Sequence, residues 1–287
     1  MDYRAVLKSL PLWKGSKISA KRLLGGGTND NFLVTVGGVR YVARFQGESQ
    51  RKFLGLNRGR EIYNTKVANS LGIGPQVVVH YPKYGLLLVR YLEGVVLKRY
   101  ELRQESNIRT MVRILKRLHR GPAFRGRFSV LDSIEHFWAV SRRDGKKLPG
   151  FGQSEFDKFR HCMDTVRHRR TQLLPCHVDI VSINIVRRGR KLKIIDWDYS
   201  AMADPLFELA FMAGWSRFTP ANSRLLLKLY FGQLTPELQK QFKAMTALFH
   251  LREAVWALVQ IGRSKVPGFS YHRYLVKHIQ WFKQIRV

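Results

Sequence analysis

Strand-like alternation is concentrated ahead of Gly94, and helical periodicity fills most of the chain beyond it, which limits the folds open to the chain. Between Ile18 and Phe45 the sequence reads as strand, turn, strand, turn, strand. Leu33-Val34-Thr35-Val36 is rich in β-branched residues, Gly37-Gly38 supplies hairpin φ freedom, and Val39-Arg40-Tyr41-Val42-Ala43-Arg44-Phe45 alternates. Apolar residues at helical spacing (Ile62, Val67, Leu71) predict a helix over Asn57–Leu71, stopped by Gly72-Ile73-Gly74-Pro75. Val77-Val78-Val79 and Leu86-Leu87-Leu88-Val89 predict two further strands. From Ile108 to His119, and again near 156–169, 224–231, 236–259 and 271–285, the spacing predicts helices. One strand-rich island interrupts them from Ile183 to Ile195. The expectation is an α+β fold of two lobes, an antiparallel sheet lobe over residues 1–92 and a larger, mainly helical lobe over 93–287.

Charge is the second constraint. Fifty-one Lys and Arg face 20 Asp and Glu, a formal net charge of +31, so the surface field draws anions. The cations are scattered through the chain and form no DNA-reading motif, so no dedicated nucleic-acid function is expected. Such a surface favours ATP or peripheral contact with an anionic membrane face. Cys162 and Cys176 are too few for a disulfide framework and lack metal-ligand spacing, which fits a reducing cytoplasm. The start of the chain has no apolar signal core, and Leu86-Leu87-Leu88-Val89 is too short to span a bilayer, so a soluble cytoplasmic protein is expected.

The residues that carry chemistry lie around the strand-rich island. His177-Val178-Asp179-Ile180-Val181-Ser182-Ile183-Asn184 has the form H-x-D-x-x-x-x-N, and Ile194-Ile195-Asp196 comes after a basic turn. Phosphoryl transfer to a hydroxyl needs a carboxylate to orient and deprotonate the acceptor, and oxygen ligands to hold Mg²⁺ across the phosphates. Asp179 suits the first role, and Asn184 with Asp196 the second. A hairpin between them returns the chain, so Asp196 is expected beside Asn184. His177 is expected to hold the loop rather than to act as base.

These segments resemble the aminoglycoside phosphotransferase and choline kinase superfamily over nearly the whole chain. The resemblance runs through Cys176 to Ile185, Ile194-Ile195-Asp196-Trp197-Asp198-Tyr199, and Ala203-Asp204-Pro205-Leu206-Phe207-Glu208-Leu209-Ala210. It implies a two-lobed protein-kinase-like fold, ATP with Mg²⁺, and transfer of the γ-phosphoryl group to a small molecule's hydroxyl. Leu24-Gly25-Gly26-Gly27-Thr28-Asn29 resembles the family's phosphate-covering hairpin, which assigns Gly26, Gly27, Thr28 and Asn29 to the nucleotide. Arg44 takes the place of the phosphate-binding cation, and Glu61 resembles the acid that fixes it. Val89-Arg90-Tyr91-Leu92-Glu93-Gly94 resembles the linker whose backbone meets adenine, so Arg90 and Leu92 are assigned by position.

Asp179, Asp196, Asp198, Asp204 and Glu208 crowd one stretch of an otherwise basic chain. Asp198, Asp204 and Glu208 are therefore candidates for an acceptor pocket suited to an amine, with Trp197, Tyr199, Trp215, Phe249 and Trp256 as aromatic faces or as core. Ile195-Asp196-Trp197-Asp198-Tyr199 resembles choline, ethanolamine and thiamine kinases most. The later Phe211-Met212-Ala213-Gly214-Trp215 lacks the acid that many choline kinases have there. Two alternatives stay open: an aminoglycoside-type phosphotransferase, and a non-catalytic kinase-like module that binds anionic partners.

Overall fold

The computed structural model describes residues 2–23, 29–47, 52–167, 169, 171–264 and 266–287. Strands β1 (Ile18–Arg22), β2 (Asn29–Val36), β3 (Val39–Gln46), β4 (Val77–Tyr81) and β5 (Leu86–Arg90) form an antiparallel sheet in the order β1-β2-β3-β5-β4. The β2–β3 turn places Gly37 and Gly38 at φ 55° and 77°, the pair of positive values that a two-residue hairpin demands. A short helix missed in the sequence, α1 (Tyr3–Ser9), is capped by Asp2 and packs Leu7 against the sheet beside Trp13, Phe32, Val34 and Phe45.

Helix α2 (Arg58–Ser70) starts at the Asn57 side-chain cap and turns Ala68 toward a second, larger core. That core is built by α3 (Glu105–His119), α4 (Val130–Arg143), α5 (Gln153–Arg167), α6 (Pro205–Ser216), α7 (Pro220–Phe231), α8 (Pro236–Gln260) and α9 (Tyr271–Gln284). Helix α8 runs through its middle and packs on α4, α5, α6 and α9. Its residues from Ala244 to Gln260 are nearly all buried, so the stripe expected of a surface helix is replaced by apolar side chains all round. Helices α4 and α6 escaped the sequence reading. The apolar run of α6 shows no face because the helix is enclosed on every side.

Between the sheet and the helices lie short ladders that position the loops. Strand β7 (Leu174–Cys176) pairs with β10 (Ala201–Ala203), and β6 (Val95–Val96) pairs with β8 (Ile185–Arg188), which pairs with β9 (Lys191–Ile194). The chain crosses from the sheet to β6 through Gly94 at φ 147°, where a Cβ would collide with the Arg187 carbonyl oxygen. Only glycine fits that crossing. Among the described residues no helix is long and apolar enough to cross a membrane.

Candidate active site

Two ladders bring the polar residues of the strand-rich island together. In the β8–β9 hairpin Ile185 faces Ile194, and the Ile195 N–H donates to the Asn184 carbonyl at 2.9 Å, so Asn184 and Asp196 emerge at the same end. The β7–β10 pair sets Cys176 opposite Ala201, which brings the 177–179 turn beside Asp198 and Tyr199. Asn184 Nδ2 donates to both the Asp179 carbonyl and its Oδ2, each at 3.1 Å. The Asn184 amide oxygen is thereby turned away from Asp179.

The loop is strained and then braced. Val178 has φ 70° and Asp196 φ 68°, left-handed values that a β-branched residue adopts only under constraint. The constraint at Val178 is Glu208, whose Oε1 accepts from the His177 and Val178 N–H groups at 2.5 and 3.0 Å. Its other oxygen meets His119 Nε2 at 2.5 Å, and His119 Nδ1 meets the Tyr230 hydroxyl at 2.5 Å. Burial opposes the Glu208 charge, but His119 and the loop amides outweigh it and hold the carboxyl below its ordinary range. His177 is fully buried, accepts from the Asp179 N–H at Nδ1 and donates from Nε2 to the Ile195 carbonyl at 2.9 Å. Desolvation keeps that imidazole neutral, and its edge packs on Trp197. It ties the two halves of the site together and points no free nitrogen into the cleft.

In front of this braced turn lies a cavity of about 750 Å³ between the sheet and the helices. Asp179, Asn184, Asp196 and Asp198 form its floor, and Asn31, Val42, Arg44, Glu61, Leu87 and Val89 form the sheet-side wall. Arg44 is 7% exposed, ion-pairs with Asp196, and lies 3.2 Å from Glu61, whose other oxygen is 2.5 Å from Arg58. Burial works against the Arg44 charge, yet Asp196, Glu61 and Asp198 together hold the guanidinium above its usual range. Arg44 Nε is buried with no hydrogen-bond partner.

Asp179 is pushed up to about 7, first by desolvation and then by the negative charge of Glu253 and Asp196, while Arg252 and the Asn184 hydrogen bond pull the other way. A carboxylate so placed is a stronger proton acceptor than one in water. Asp198 is buried and also raised, by desolvation and then by Asp196 and Glu61, and it accepts from Asn29 Nδ2 at 3.3 Å.

Of the sequence-predicted residues, Asp179, Asn184, Asp196, Asp198, Arg44, Glu61, Arg90, Leu92 and Trp215 all line this one cavity. Asn29 joins them through Asp198 and through Arg58, which donates to its Oδ1 at 2.9 Å. Gly26, Gly27 and Thr28 lie outside the described residues. The Arg90 N–H is committed to the Gln76 carbonyl at 2.8 Å, so any backbone contact it makes to a base falls to its own carbonyl.

Two acceptor-site expectations are corrected. Asp204 caps α6 through the Leu206 N–H and pairs with Arg169 at 2.9 Å, and Glu208 braces the 177–179 turn from behind; neither faces the cavity. Both are spent on local geometry, as first-turn acids of a helix often are. Phe249 is core, packed on Phe211, whereas Tyr199, Trp215 and Trp256 do reach the cavity.

Of the helix-side wall only Trp256 was expected. Arg252, Glu253 and Trp256 come from α8, and Tyr271 and Tyr274 from α9. Arg252 and Glu253 are 3% and 5% exposed and paired at 2.5 Å, and the Tyr274 hydroxyl donates to Glu253 at 2.6 Å. The available signal was a charged pair inside the apolar run Met245–Val259, since buried charges are rare unless paired or functional.

The model of the phosphotransferase enzyme family matches residues 19–240. This chain belongs to that family. LicA of Haemophilus influenzae is 29% identical over 224 residues, 77% of this chain and 65% of its own length. Thiamine kinase of Shigella boydii serotype 4 is 27% identical over 162 residues, 54% of this chain and 55% of that enzyme. The chain thus spans less than two thirds of either relative. A choline/ethanolamine kinase family protein from Mesorhizobium loti superposes with a TM-score of 0.78 at 24% identity, covering 98% of this chain and 92% of the other. That likeness fixes the kinase-like fold.

Proposed function

We propose that this family member transfers the γ-phosphoryl group of ATP, with Mg²⁺, to a hydroxyl of a small molecule of the amino-alcohol class or related to it. The observation that carries the reading is the convergence of Asp179, Asn184 and Asp196 on one cavity floor, with Arg44 above them. The site suits both groups. The oxygen-only set of Asp196 and Asn184 matches a hard divalent cation, and the unpartnered Arg44 Nε matches a phosphate oxygen. Bound there, Mg²⁺ supplies charge neutralisation across the phosphates.

In this reading residues 1–92 carry the nucleotide and residues 93–287 supply the catalytic loop and the acceptor wall. Asp179 accepts the hydrogen bond of the acceptor hydroxyl and takes its proton as the new oxygen–phosphorus bond forms and the bond to the ADP oxygen breaks. Arg44 holds the transferring phosphate, and Glu61 holds Arg44. The amino-alcohol class rests on the names of the relatives and on the likeness of Asp196-Trp197-Asp198-Tyr199 to their sequences.

The test is ADP release with purified protein, ATP and Mg²⁺ across choline, ethanolamine, thiamine, sugars and aminoglycosides. Asp179→Asn should lower turnover by about a hundredfold to ten-thousandfold while nucleotide binding persists. Full transfer by that variant, or release that survives chelation of the metal, overturns the proposal.

A further inference from the structure

The helix-side wall is unlike a trap for a bare cation. Every carboxylate that lines the cavity already has donors: Asp196 from Arg44, Glu61 from Arg44 and Arg58, Glu253 from Arg252 and Tyr274, Asp198 from Asn29, and Asp179 from Asn184. Two of the aromatic faces, Trp215 and Tyr199, are taken as well. The Arg99 guanidinium stands 4.2 Å over the Trp215 ring, and Arg252 stands 4.8 Å over Tyr199. A quaternary ammonium approaching either of those two rings meets a resident cation.

Arg99 is a cavity-lining guanidinium without a carboxylate partner among the described residues. It lines the cavity beside Trp215 and Tyr274 on the exposed side of the cleft, while Asp179 lies on the floor. Among the described residues neither Arg99 nor its neighbours Arg103 and Arg217 is ion-paired to a carboxylate. Arg103 spends its Nε on the Ser216 carbonyl at 2.8 Å, and Arg217 lies over Trp281 at 5.1 Å. Desolvation holds Arg99 below its ordinary range against the opposing pull of Tyr274, and the charges of Arg103 and Arg217 add to the lowering. An anion beside these guanidinia relieves that repulsion, and a planar guanidinium backed by an indole ring presents its donors in a fixed fork suited to phosphate or carboxylate.

Resting on the kinase reading above, we propose that the acceptor alcohol carries an anionic group, a phosphate or a carboxylate, which Arg99 binds while the hydroxyl faces Asp179. Exposed apolar side chains line the cavity as well, with Val96, Ile183 and Phe269 exposed by 44%, 57% and 40%. The anion therefore belongs either to a free metabolite or to a lipid headgroup, and both present the same chemistry to Arg99.

The experiment compares kcat/KM for choline, ethanolamine and thiamine with that for serine, 3-hydroxybutyrate, glycerol 1-phosphate and phosphatidylglycerol in vesicles. At least a tenfold preference for an anion-bearing alcohol is expected, and the soluble and vesicle arms identify its source. Arg99→Ala should then raise the KM for that alcohol at least tenfold with the KM for ATP unchanged, and Arg99→Glu should shift preference toward ethanolamine. Choline or ethanolamine used as well as the anionic alcohols, or Arg99→Ala with unaltered kcat/KM, overturns the inference and leaves the kinase reading standing. If no alcohol in the set is phosphorylated, thermal shifts of the Mg²⁺- and ATP-loaded protein decide. A shift with glycerol 1-phosphate that Arg99→Ala abolishes supports the inference, and no shift, or one with choline alone, ends it. Absence of any Mg²⁺-dependent ATP binding would instead overturn the kinase reading.

Discussion

The sheet-side wall of the cavity is held by ion pairs between elements far apart in the chain, Arg44 on β3 to Asp196 after β9 and to Glu61 on α2. The helix-side wall is held by apolar packing of α8 and α9, and its charges, Arg252 and Glu253, are neighbours on one helix. Charge on the first wall thus fixes the position of the elements themselves. On the second the backbone is set by packing, and the charges only dress the surface it presents. The two walls should therefore fail differently.

The largest effect is expected from Glu61→Gln. It removes the carboxylate between Arg44 and Arg58, and breaking a buried pair costs about 3–5 kcal/mol. Urea denaturation should show that loss, and the KM for ATP should rise with it. A variant of unchanged stability would mean that the sheet side does not depend on charge.

Tyr274→Phe deletes one donor to Glu253, and a hydrogen bond to a charged group is worth about 1.5–3 kcal/mol. The KM for the acceptor should change and that for ATP should not, which sharpens the division of labour between the walls. Equal changes in both would erase it. Gly214→Ala tests the packing behind the helix-side wall. The added Cβ would lie 2.6 and 2.7 Å from Phe249 ring carbons, and overpacking costs about 1–3 kcal/mol. Thermal unfolding should register that cost with both KM values little altered.

The most gradual effect concerns acid. His250 and His278 are buried with their Nδ1 atoms 3.2 Å apart, and Tyr274 stacks on His278 at 4.2 Å. Burial, and then Arg217, pushes His250 down to about 3, and burial with His250 and Arg99 holds His278 well below its usual range. Both are neutral when folded, whereas an unfolded histidine binds a proton below about pH 6.5. Their contribution is thus present above that pH and is lost as pH falls toward the folded value, by about 1.4 kcal/mol per pH unit for each group. Denaturation across pH 4 to 8 should show a shallower acid slope in His250→Gln, by one proton. An unchanged slope would place the acid sensitivity elsewhere.

Legibility divided along the same line. The β2–β3 hairpin, helix α2 and the β8–β9 return were readable because their signals are local: Gly37-Gly38, apolar spacing ended by Gly72-Ile73-Gly74-Pro75, and two apolar runs around a basic turn. Asp179, Asn184 and Asp196 were readable because their spacing matches a chemical need. Asp204 and Glu208 misled, since acidity in sequence does not say which side of a helix an acid faces. Tyr271 and Tyr274 were invisible because nothing near them in the chain marks the end of α9 that meets the cleft.

By itself the sequence determined the plan of a sheet followed by a mainly helical part, the polar residues around the 177–184 turn, and the excess of positive charge. Those arise from backbone preference and from spacing along the chain, which act over a few residues. Only the tertiary structure decided which acids share a cavity, that Glu208 holds Val178 in its strained turn, and that Arg99 and Arg252 stand over Trp215 and Tyr199. Such outcomes depend on the packing of α6, α8 and α9 against one another, a contact between segments whose sequences carry no record of their distance in space.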